Sequence, residues 1–283
     1  MEKNLDIKWY RTIDSTNTQA AREIDSAAEG TVWIADFQTA GRGQRGNKWE
    51  SAESENLTFS ILFRPTFLSP AQQFKISQIA SLGVLRYLHS KGIDAKIKWP
   101  NDIYVGDRKI CGTLIENSLR GDKLAVSIAG IGLNLNQRIF ASDAPNPTSL
   151  ILEFSSRQLQ PNRTSPQLPH TGEAPTEERS SFDRKEELQQ LLGYICTAYQ
   201  ELEEGFHKEV DQEYTQNLYR LGQWHKFIEI SDDADVNMPV EKITGGKEIT
   251  ARIIGVDKYG CAILEHLSGE KRTYPFKGIR YII

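Results

Sequence analysis

The sequence predicts an α/β (α+β) fold, in which helices pack on a mixed central sheet and a small domain of β-strands follows. Short segments rich in β-branched and aromatic residues lie on both sides of one long amphipathic helix, an order that favours a mixed sheet. Because only one helix between the strands is long, a doubly wound parallel sheet is not expected. From about Gly222 the strands become short and closely spaced, which is typical of an SH3-like barrel. We therefore predict two domains, at residues 1–220 and 221–283.

The strands of the first domain are predicted from short apolar segments bounded by turn residues. They are residues 7–13, 31–39, 57–63, 96–98, 103–105, 109–116 and 124–133. A cluster of N-cap residues at 14–17 precedes a predicted helix over 19–24. Ser69 and Pro70 begin a second helix that continues to about Lys91, with its apolar residues at helical period.

The segment 155–182 differs in composition from the rest of the first domain. It holds four of the eleven prolines and almost no large apolar side chain. Such a segment cannot bury enough surface to offset its ordering entropy, so we expect a mobile insertion. One long helix is predicted over 183–210, from an apolar stripe at helical period. The predicted strands of the second domain are 226–230, 249–256, 261–266, 272–276 and 278–283.

Charge and cysteine content argue against several classes of protein. Lys and Arg number 34 and Asp and Glu number 38, so the formal net charge is −4, which disfavours bulk nucleic-acid binding. Cys111, Cys196 and Cys261 are far apart and odd in number, so neither a disulfide framework nor a Cys-x-x-Cys metal site is expected. The N-terminal residues contain no apolar run, and no segment approaches the ~20 apolar residues that span a bilayer. We expect a cytoplasmic protein with no membrane segment.

The strongest local signal is the segment 38–49, in which three glycines alternate with cationic residues directly after a predicted strand. Glycines let the backbone approach a ligand closely, and successive amide groups can cradle an anion. Arg42, Arg45 and Lys48 add positive charge, although a flexible turn with solvated charges would show the same pattern. The segment is not a P-loop, because the Gly-Lys-Ser/Thr ending is absent, and no helix follows as a dinucleotide fingerprint requires.

The second signal is Lys98-Trp99-Pro100-Asn101-Asp102, a turn that proline makes rigid. It presents Lys98, Asn101 and Asp102 together at the end of a predicted strand, although an ordinary Pro-Asn-Asp turn has the same sequence character. Lys109 follows at the start of an apolar strand, where a charge is costly unless an anion lies nearby.

These motifs, in this order, resemble the signature of the biotin protein ligases, and the match spans nearly the whole chain. Its segments are Asp14-Ser15-Thr16-Asn17, 38–49, 98–102, Arg108-Lys109-x-x-Gly112 and Gly130-Ile131-Gly132-Leu133-Asn134. The resemblance implies a catalytic domain similar to class II aminoacyl-tRNA synthetases. It also implies an ATP-dependent enzyme that forms biotinyl-5′-AMP and transfers biotin to a lysine of a biotin carboxyl carrier domain of acetyl-CoA carboxylase or a related enzyme. Because the signature begins at Ile7, we expect the short class, without the winged helix of larger members and without specific DNA binding.

The resemblance also assigns roles to individual residues. Lys109, Arg42 and Asp102 are the expected catalytic residues. Contacts with biotin are expected from Ser15, Thr16, Asn17, Gln38, Arg42, Gly43, Gln44, Lys109, Gly112 and Gly132. Contacts with the nucleotide are expected from Arg42, Arg45, Trp49, Lys98, Asn101 and Asn134. The loop 41–49 is expected to close over the adenylate with Trp49 near the adenine, and Gln44 stands where several relatives have arginine.

The expected substrates are ATP and biotin, with Mg²⁺ bridging the triphosphate and no resident metal site. Two other functions stay open at this point. Lipoate or octanoyl protein ligases are similar in fold, although the glycine-rich loop and the Lys98–Asp102 turn favour biotin. A non-catalytic biotin-sensing regulator would need a DNA-reading element, and the net charge of −4 argues against one. The protein is expected to act as a monomer or a homodimer.

Overall fold

Two β-sheets and five helices make up the parts of the chain that the structure, a computed structural model, describes. The described residues are 5–44, 47–141, 146–158, 180–230, 246–276 and 278–283. The larger sheet has seven strands in the order β1-β2-β3-β7-β6-β5-β4. These are β1 (Ile7–Ile13), β2 (Val32–Gln38), β3 (Leu57–Phe63), β4 (Ala95–Lys98), β5 (Asp102–Val105), β6 (Arg108–Arg120) and β7 (Lys123–Leu133).

The larger sheet is mixed, as predicted. Strand β1 runs parallel to β2, and every other neighbouring pair is antiparallel. Strand β3 is buried along its whole length, although its first five residues alternate between apolar and polar side chains. The predicted strands all lie within or beside observed ones, although β6 continues four residues beyond the predicted end at 116.

Helices cover both faces of this sheet. Helix α1 (Thr16–Arg22) packs on β2, β3 and β7, where Ala20, Trp33 and Leu62 belong to one apolar cluster. Helices α2 (Phe74–Ser90) and α4 (Arg184–Glu203) lie together against the main core. They cross so closely that a Cβ on Gly83 would stand 2.5 Å from Ile195 Cγ1. Layers of this kind are what the sequence pattern predicted.

The predicted single helix over 183–210 is wrong, because the structure breaks it into two. Helix α4 ends at Glu203, and α5 (His207–Gln216) begins after Gly205. Gly205 has φ of +93°, a left-handed conformation that ends helices and that glycine adopts without a Cβ penalty. The predicted start is confirmed, since Asp183 caps α4 by accepting hydrogen bonds from the Lys185 and Glu186 backbone amides.

The predicted insertion at 155–182 carries structure at both of its ends. Helix α3 (Leu150–Gln158) includes its first four residues. At the other end Phe182 is 2% exposed and packs edge-on against Phe154 at 5.9 Å between ring centroids. Residues 159–179, the remainder of the predicted insertion, lie outside the described residues.

The second sheet contains five antiparallel strands in the order β11-β10-β9-β8-β12. These are β8 (His225–Glu229), β9 (Lys247–Val256), β10 (Ala262–His266), β11 (Lys271–Tyr274) and β12 (Ile279–Tyr281). Within the described residues β11 and β12 lie at opposite edges and do not pair, so this sheet is open. A closed SH3-like barrel therefore stays a prediction.

The second sheet is attached to the first through buried contacts. The Trp99 indole N–H donates to the Gly260 carbonyl at 2.8 Å, and Trp99 packs against Phe276. Backbone hydrogen bonds join Tyr219 to Ile97, and Gly222 to Ile253. These contacts place the last strand beside the 98–102 turn. None of the described helices is both long and apolar enough to cross a bilayer.

Candidate active site

A cavity of about 560 Å³ opens beside the centre of the larger sheet. Its walls come from the start of α1, the glycine-rich loop, the 98–102 turn, strands β3, β6 and β7, and the last strand of the second sheet. Of the predicted site residues that the structure describes, all but Asn134 line it: Ser15, Thr16, Asn17, Gln38, Arg42, Gly43, Gln44, Trp49, Lys98, Asn101, Asp102, Lys109, Gly112 and Gly132.

Thr16, Asn17 and Gln38 line one end of the cavity, and the buried Ser60 lies behind them; we call these four residues the floor. Thr16, Asn17 and Ser60 are 3%, 3% and 0% exposed. Ser60 Oγ lies 2.7 Å from Thr16 Oγ1 and 2.6 Å from Asn17 Oδ1. The Thr16 backbone amide donates to Gln38 Oε1 at 2.7 Å. Buried polar groups joined in this way hold one geometry.

Helix α1 can approach the sheet at the floor because β7 has a glycine there. A Cβ on Gly130 would stand 2.1 Å from Asn17 Oδ1, so any other residue would displace the Asn17 side chain. Gly130 opens the Gly130-Ile131-Gly132 motif, which therefore serves the floor as well as the cavity wall.

Trp49 packs on two glycines that lie side by side on neighbouring strands. Gly112 on β6 pairs with Gly132 on β7. A Cβ on Gly132 would lie 2.2 Å from Trp49 Cε2, and one on Gly112 would lie 3.1 Å from Trp49 Cζ3. The Trp49 indole N–H is buried and has no hydrogen-bond partner in the described ranges. The structure thus places Trp49, which we expected near the adenine, with the glycines that we expected around biotin.

The glycine-rich loop is a narrow hairpin in its described part. Arg42 and Lys48 form an isolated β-bridge, the Gly43 amide donates to the Asn47 carbonyl at 2.7 Å, and the Trp49 amide donates to the Gly41 carbonyl at 3.0 Å. A Cβ on Gly41 would stand 2.6 Å from the Trp49 carbonyl oxygen. Glycine is required here by close approach of the two loop strands. Arg45 lies outside the described residues.

The 98–102 turn, which contains a cis Trp99–Pro100 peptide bond, brings Asp102 against Lys109. The Lys109 ammonium lies 2.7 Å from Asp102 Oδ1, and the two side chains are 24% and 19% exposed. The Asn101 amide nitrogen donates to the Thr113 carbonyl, which ties the turn to β6. The charge of Lys109 at the start of an apolar strand is therefore balanced by the Asp102 carboxylate of the 98–102 turn.

The cavity is far more positive than the protein as a whole. Among its described lining residues, Asp102 is the single carboxylate side chain. Five cations line it, and we call them the cationic rim: Arg42, Lys48, Lys98, Lys109 and Arg280. Because the whole chain has a formal net charge of −4, this concentration of cations is typical of a site for anionic ligands.

A family model described as the biotin/lipoate A/B protein ligase family matches residues 9–134. The bifunctional ligase/repressor BirA of Escherichia coli (strain K12) is 30% identical over 254 residues, which cover 89% of this chain and 67% of BirA. The chain belongs to the biotin protein ligases of this family.

Other ligases agree with this assignment. Biotin--[acetyl-CoA-carboxylase] ligase of Paracoccus denitrificans is 33% identical over 125 residues, which cover 43% of this chain and 51% of that protein. The structure of biotin protein ligase from Aquifex aeolicus in complex with biotin and ATP has a TM-score of 0.69 and 27% identity, with 98% of this chain and 99% of that one covered. The similarity thus includes the second sheet of this ligase.

Asn134 is the described member of the predicted set that lies outside the cavity lining of this ligase. It is 4% exposed, and its amide nitrogen donates to the Thr148 carbonyl at 2.9 Å. The Thr148 amide in turn donates to the Lys109 carbonyl at 2.8 Å. Asn134 therefore supports the segment beside Lys109 rather than presenting its side chain to the cavity.

Sequence reasoning missed three parts of the site. Ser60 lies on the buried strand β3, which we predicted from its apolar residues and which belongs to none of the family motifs. Glu116 on β6 forms an ion pair with Arg42 and accepts a hydrogen bond from Asn17 at 2.7 Å. The second sheet supplies cavity residues, among them Ile279 and Tyr281, that lie about 160 residues beyond the end of β6. Burial raises the pKa of Tyr281, whose hydroxyl has no hydrogen-bond partner among the described residues.

Cys111 is not a candidate nucleophile in this site. It is fully buried, and burial raises the pKa of its thiol. A thiol in that state is inert, because the thiolate is the reactive form.

Proposed function

We propose that this ligase activates biotin with ATP as biotinyl-5′-AMP, releases pyrophosphate, and then transfers biotin to a lysine of a carrier protein with release of AMP. The observation that carries the proposal is a single cavity that joins a buried polar floor, an aromatic wall and a cationic rim. Biotin has a polar ureido ring, an apolar body and a carboxylate, and these three parts match the three surfaces in order.

The apolar body of biotin fits the space between the floor and Trp49. Gly112 and Gly132 have no side chains there, and this leaves the Trp49 ring as the wall of the slot. The partnerless indole N–H of Trp49 is a donor that a bound ligand would satisfy. In this pose Trp49 contacts biotin, and the adenine lies farther along the cavity.

In the first half-reaction the biotin carboxylate attacks the α-phosphorus of ATP. Both reactants are anions, so the site must offset their repulsion and stabilise the charge that develops in the transition state. Lys109 and Arg42 are the residues that do so. Each is held by a carboxylate in this structure, Lys109 by Asp102 and Arg42 by Glu116, and the substrates' anionic groups exchange with these partners.

Mg²⁺ enters with the nucleotide. No group of three His, Cys, Asp or Glu side chains in the described ranges lies close enough together to hold a metal ion. Asp102, the carboxylate in the lining, is already paired with Lys109. The oxygens that fit Mg²⁺ are therefore those of the triphosphate, which it prefers in nucleotide sites.

The nucleotide lies between the 98–102 turn and the second sheet. Lys98 and Arg280 face the cavity from these two sides, and Ile228 and Ile279 offer apolar surface. The Lys98 ammonium lies 4.8 Å from the Tyr104 ring centroid and 5.0 Å from that of Tyr281. The second sheet, which we infer to be an SH3-like module, thus completes the nucleotide end of the site.

In the second half-reaction a lysine amine attacks the acyl carbon of biotinyl-5′-AMP. A lysine is mostly protonated at neutral pH and must lose a proton before it can attack. Once Lys109 is engaged by the adenylate, Asp102 is free to accept that proton. The acceptor is a biotin carboxyl carrier domain of acetyl-CoA carboxylase or a related carboxylase, as the name of the Paracoccus relative suggests.

Pyrophosphate exchange tests the proposal and separates biotin from similar acids. We expect the purified protein to incorporate labelled pyrophosphate into ATP when biotin is present, and not when biotin is absent or replaced by lipoate or octanoate. Exchange that is supported by lipoate or octanoate instead of biotin would contradict the assignment. Binding of biotin without any exchange would favour a sensing protein over an enzyme.

A further inference from the structure

A chain of four side chains runs beneath the biotin end of the cavity, from Glu116 through Asn17 and Ser60 to Thr16. Glu116 Oε2 lies 2.7 Å from Asn17 Nδ2, and Ser60 Oγ lies 2.6 Å from Asn17 Oδ1 and 2.7 Å from Thr16 Oγ1. Asn17, Ser60 and Thr16 are at most 3% exposed. The links among Asn17, Ser60 and Thr16 are therefore short contacts between buried groups, and Glu116 joins the chain from a partly exposed position.

The carboxylate at one end fixes the direction of every hydrogen bond in this chain. A carboxylate has no proton to donate, so Asn17 must present its NH₂ group to Glu116, and the same group also donates to the Leu114 carbonyl at 3.3 Å. Asn17 Oδ1 then faces Ser60 and can only accept. Because the Ser60 hydroxyl has one proton and gives it to Asn17, Thr16 must give its own proton to Ser60.

This direction leaves Thr16 Oγ1 with lone pairs, and no proton, for the cavity. Gln38 beside it is fixed in the opposite sense, because its Oε1 accepts from the Thr16 backbone amide. The remaining Gln38 group is the NH₂, a donor. The floor thus offers an acceptor next to a donor, which complements a ligand that carries an N–H next to a C=O.

We propose that Glu116 and Ser60 are positioning residues that set the hydrogen-bond polarity of the floor and so select a ureido ring. Neither residue needs to touch the ligand, since both act through Thr16 and Asn17. The inference rests on the proposed function, because it takes biotin as the ligand. Glu116 also pairs with Arg42, so the same carboxylate joins the floor to the glycine-rich loop.

Cyclic carbamate analogues of biotin test the polarity directly. In each of the two analogues one ureido N–H is replaced by a ring oxygen, so an acceptor stands where biotin has a donor. We expect the analogue whose oxygen faces Thr16 to bind the wild-type protein about 10- to 100-fold more weakly than biotin, because two acceptors then face each other without a proton. Isothermal titration calorimetry gives the dissociation constant of this analogue and that of biotin, and their ratio measures the polarity of the floor.

Ser60→Ala breaks the chain in its middle. The Thr16 hydroxyl then keeps its proton and can turn to donate it to the carbamate oxygen, or to accept from biotin as before. We expect the ratio of the two dissociation constants to fall to about threefold in this variant. A residue with a merely structural role would change both constants together and leave their ratio as it was.

Glu116→Gln provides a second variant on a partly exposed residue, and it serves if Ser60→Ala does not fold. A glutamine offers one donor and one acceptor, so the Leu114 carbonyl at 3.3 Å is then the one group that still requires the NH₂ group of Asn17 on this side, and the orientation of Asn17 is held more weakly. We expect the ratio to fall about threefold below its wild-type value. Ser127→Ala is the matched control, because Ser127 on β7 is 0% exposed and donates to Asn117 on β6 at 2.7 Å, outside the cavity lining. Its ratio should equal that of the wild type.

The results distinguish this inference from the proposed function. Absence of biotin binding in the wild-type protein would overturn the proposed function and the inference with it. Normal biotin binding with an unchanged ratio in both Ser60→Ala and Glu116→Gln would overturn the inference alone. A wild-type protein that binds both carbamates as tightly as biotin would do the same, since the floor would then have no fixed polarity.

Discussion

The floor and the cationic rim of the cavity are built in different ways. Thr16, Asn17 and Ser60 of the floor are almost fully buried, uncharged, and joined by hydrogen bonds inside the fold. The rim residues Arg42 and Lys109 form ion pairs with partly exposed carboxylates, and the Arg42 and Glu116 side chains are 45% and 40% exposed. Exposed ion pairs contribute little and exchange partners easily, whereas a buried hydrogen-bonded network holds one arrangement. This difference supports the proposal that the floor selects the ligand and the rim drives the chemistry.

Lys109→Ala should have the largest effect and should act on the rate. Loss of one electrostatic contact in the transition state typically lowers kcat by about 10²–10³, so we expect that loss in adenylation with a smaller change in KM for biotin. Transfer from supplied biotinyl-5′-AMP should suffer much less, because the bond to phosphorus is already made. Single-turnover assays of each half-reaction measure the two effects.

Lys109→Arg is the matched variant, because it keeps the positive charge and changes its shape. Lys109→Arg should also be impaired, because a planar guanidinium does not replace a compact ammonium in this confined position. Equal loss in both half-reactions, or near-normal adenylation by the alanine variant, would show that Lys109 is structural. The charge role would then belong to another member of the rim.

Gly132→Ala should break the wall between the floor and the rim. The added Cβ would stand 2.2 Å from Trp49 Cε2, so the indole must move out of the slot. Overpacking of this kind typically costs about 1–3 kcal/mol, and we expect the dissociation constant for biotin to rise about tenfold or more. Gly193→Ala is the control, since no other residue lies within 4 Å of its Cβ position on the exposed side of α4. It should leave biotin binding unchanged and raise the free energy of unfolding by about 0.5–1 kcal/mol.

Glu23→Gln tests the support of helix α1, which carries the floor. The Glu23 carboxylate accepts hydrogen bonds from Lys8, Gln19, Trp33 and Tyr10, and chiefly the Lys8 ammonium lowers its pKa from 4.5 to about 2. The stabilisation is therefore full above about pH 4.5 and disappears as the pH falls towards 2. At pH 7 we expect the variant to lose about 1–2 kcal/mol of unfolding free energy, after allowance for partial exposure.

Denaturant unfolding across pH measures the Glu23 effect. The difference between Glu23→Gln and the wild type should shrink as the pH is lowered from 5 to 2, while kcat at pH 7 stays close to the wild-type value. A difference in unfolding free energy that does not depend on pH would show that the lowered pKa of Glu23 does not contribute to stability.

Replacement of residues 159–179 by a short Gly-Ser linker should have the smallest effect. The composition of this segment predicts little burial, and both of its flanks, α3 and the buried Phe182, are retained. We expect kcat/KM for ligation to change by less than tenfold. A larger loss in a variant that folds normally would assign the segment a part in the reaction, and the comparison of floor and rim would then be incomplete.

Much of the fold could be predicted because the patterns are local. Strand positions, the start of the helix at 183 and the mixed sheet follow from apolar periodicity and turn residues, which depend on near neighbours in the sequence. The split after Glu203 was missed because the apolar stripe continues through Phe206 and Val210. Gly205 decides where the helix ends, because its left-handed conformation stops the helix even though the apolar stripe continues beyond it.

The sequence by itself determined which chemical groups this ligase has and in which order, because its motifs are contiguous and each needs a particular residue type for a local backbone reason. Only the tertiary structure decided which groups meet. Asn17 and Glu116 stand 99 residues apart in the chain yet share a hydrogen bond, and the last strand returns to line the cavity beside Lys98. The direction of a buried hydrogen bond depends on the partners at both ends, and long-range packing alone brings those partners together.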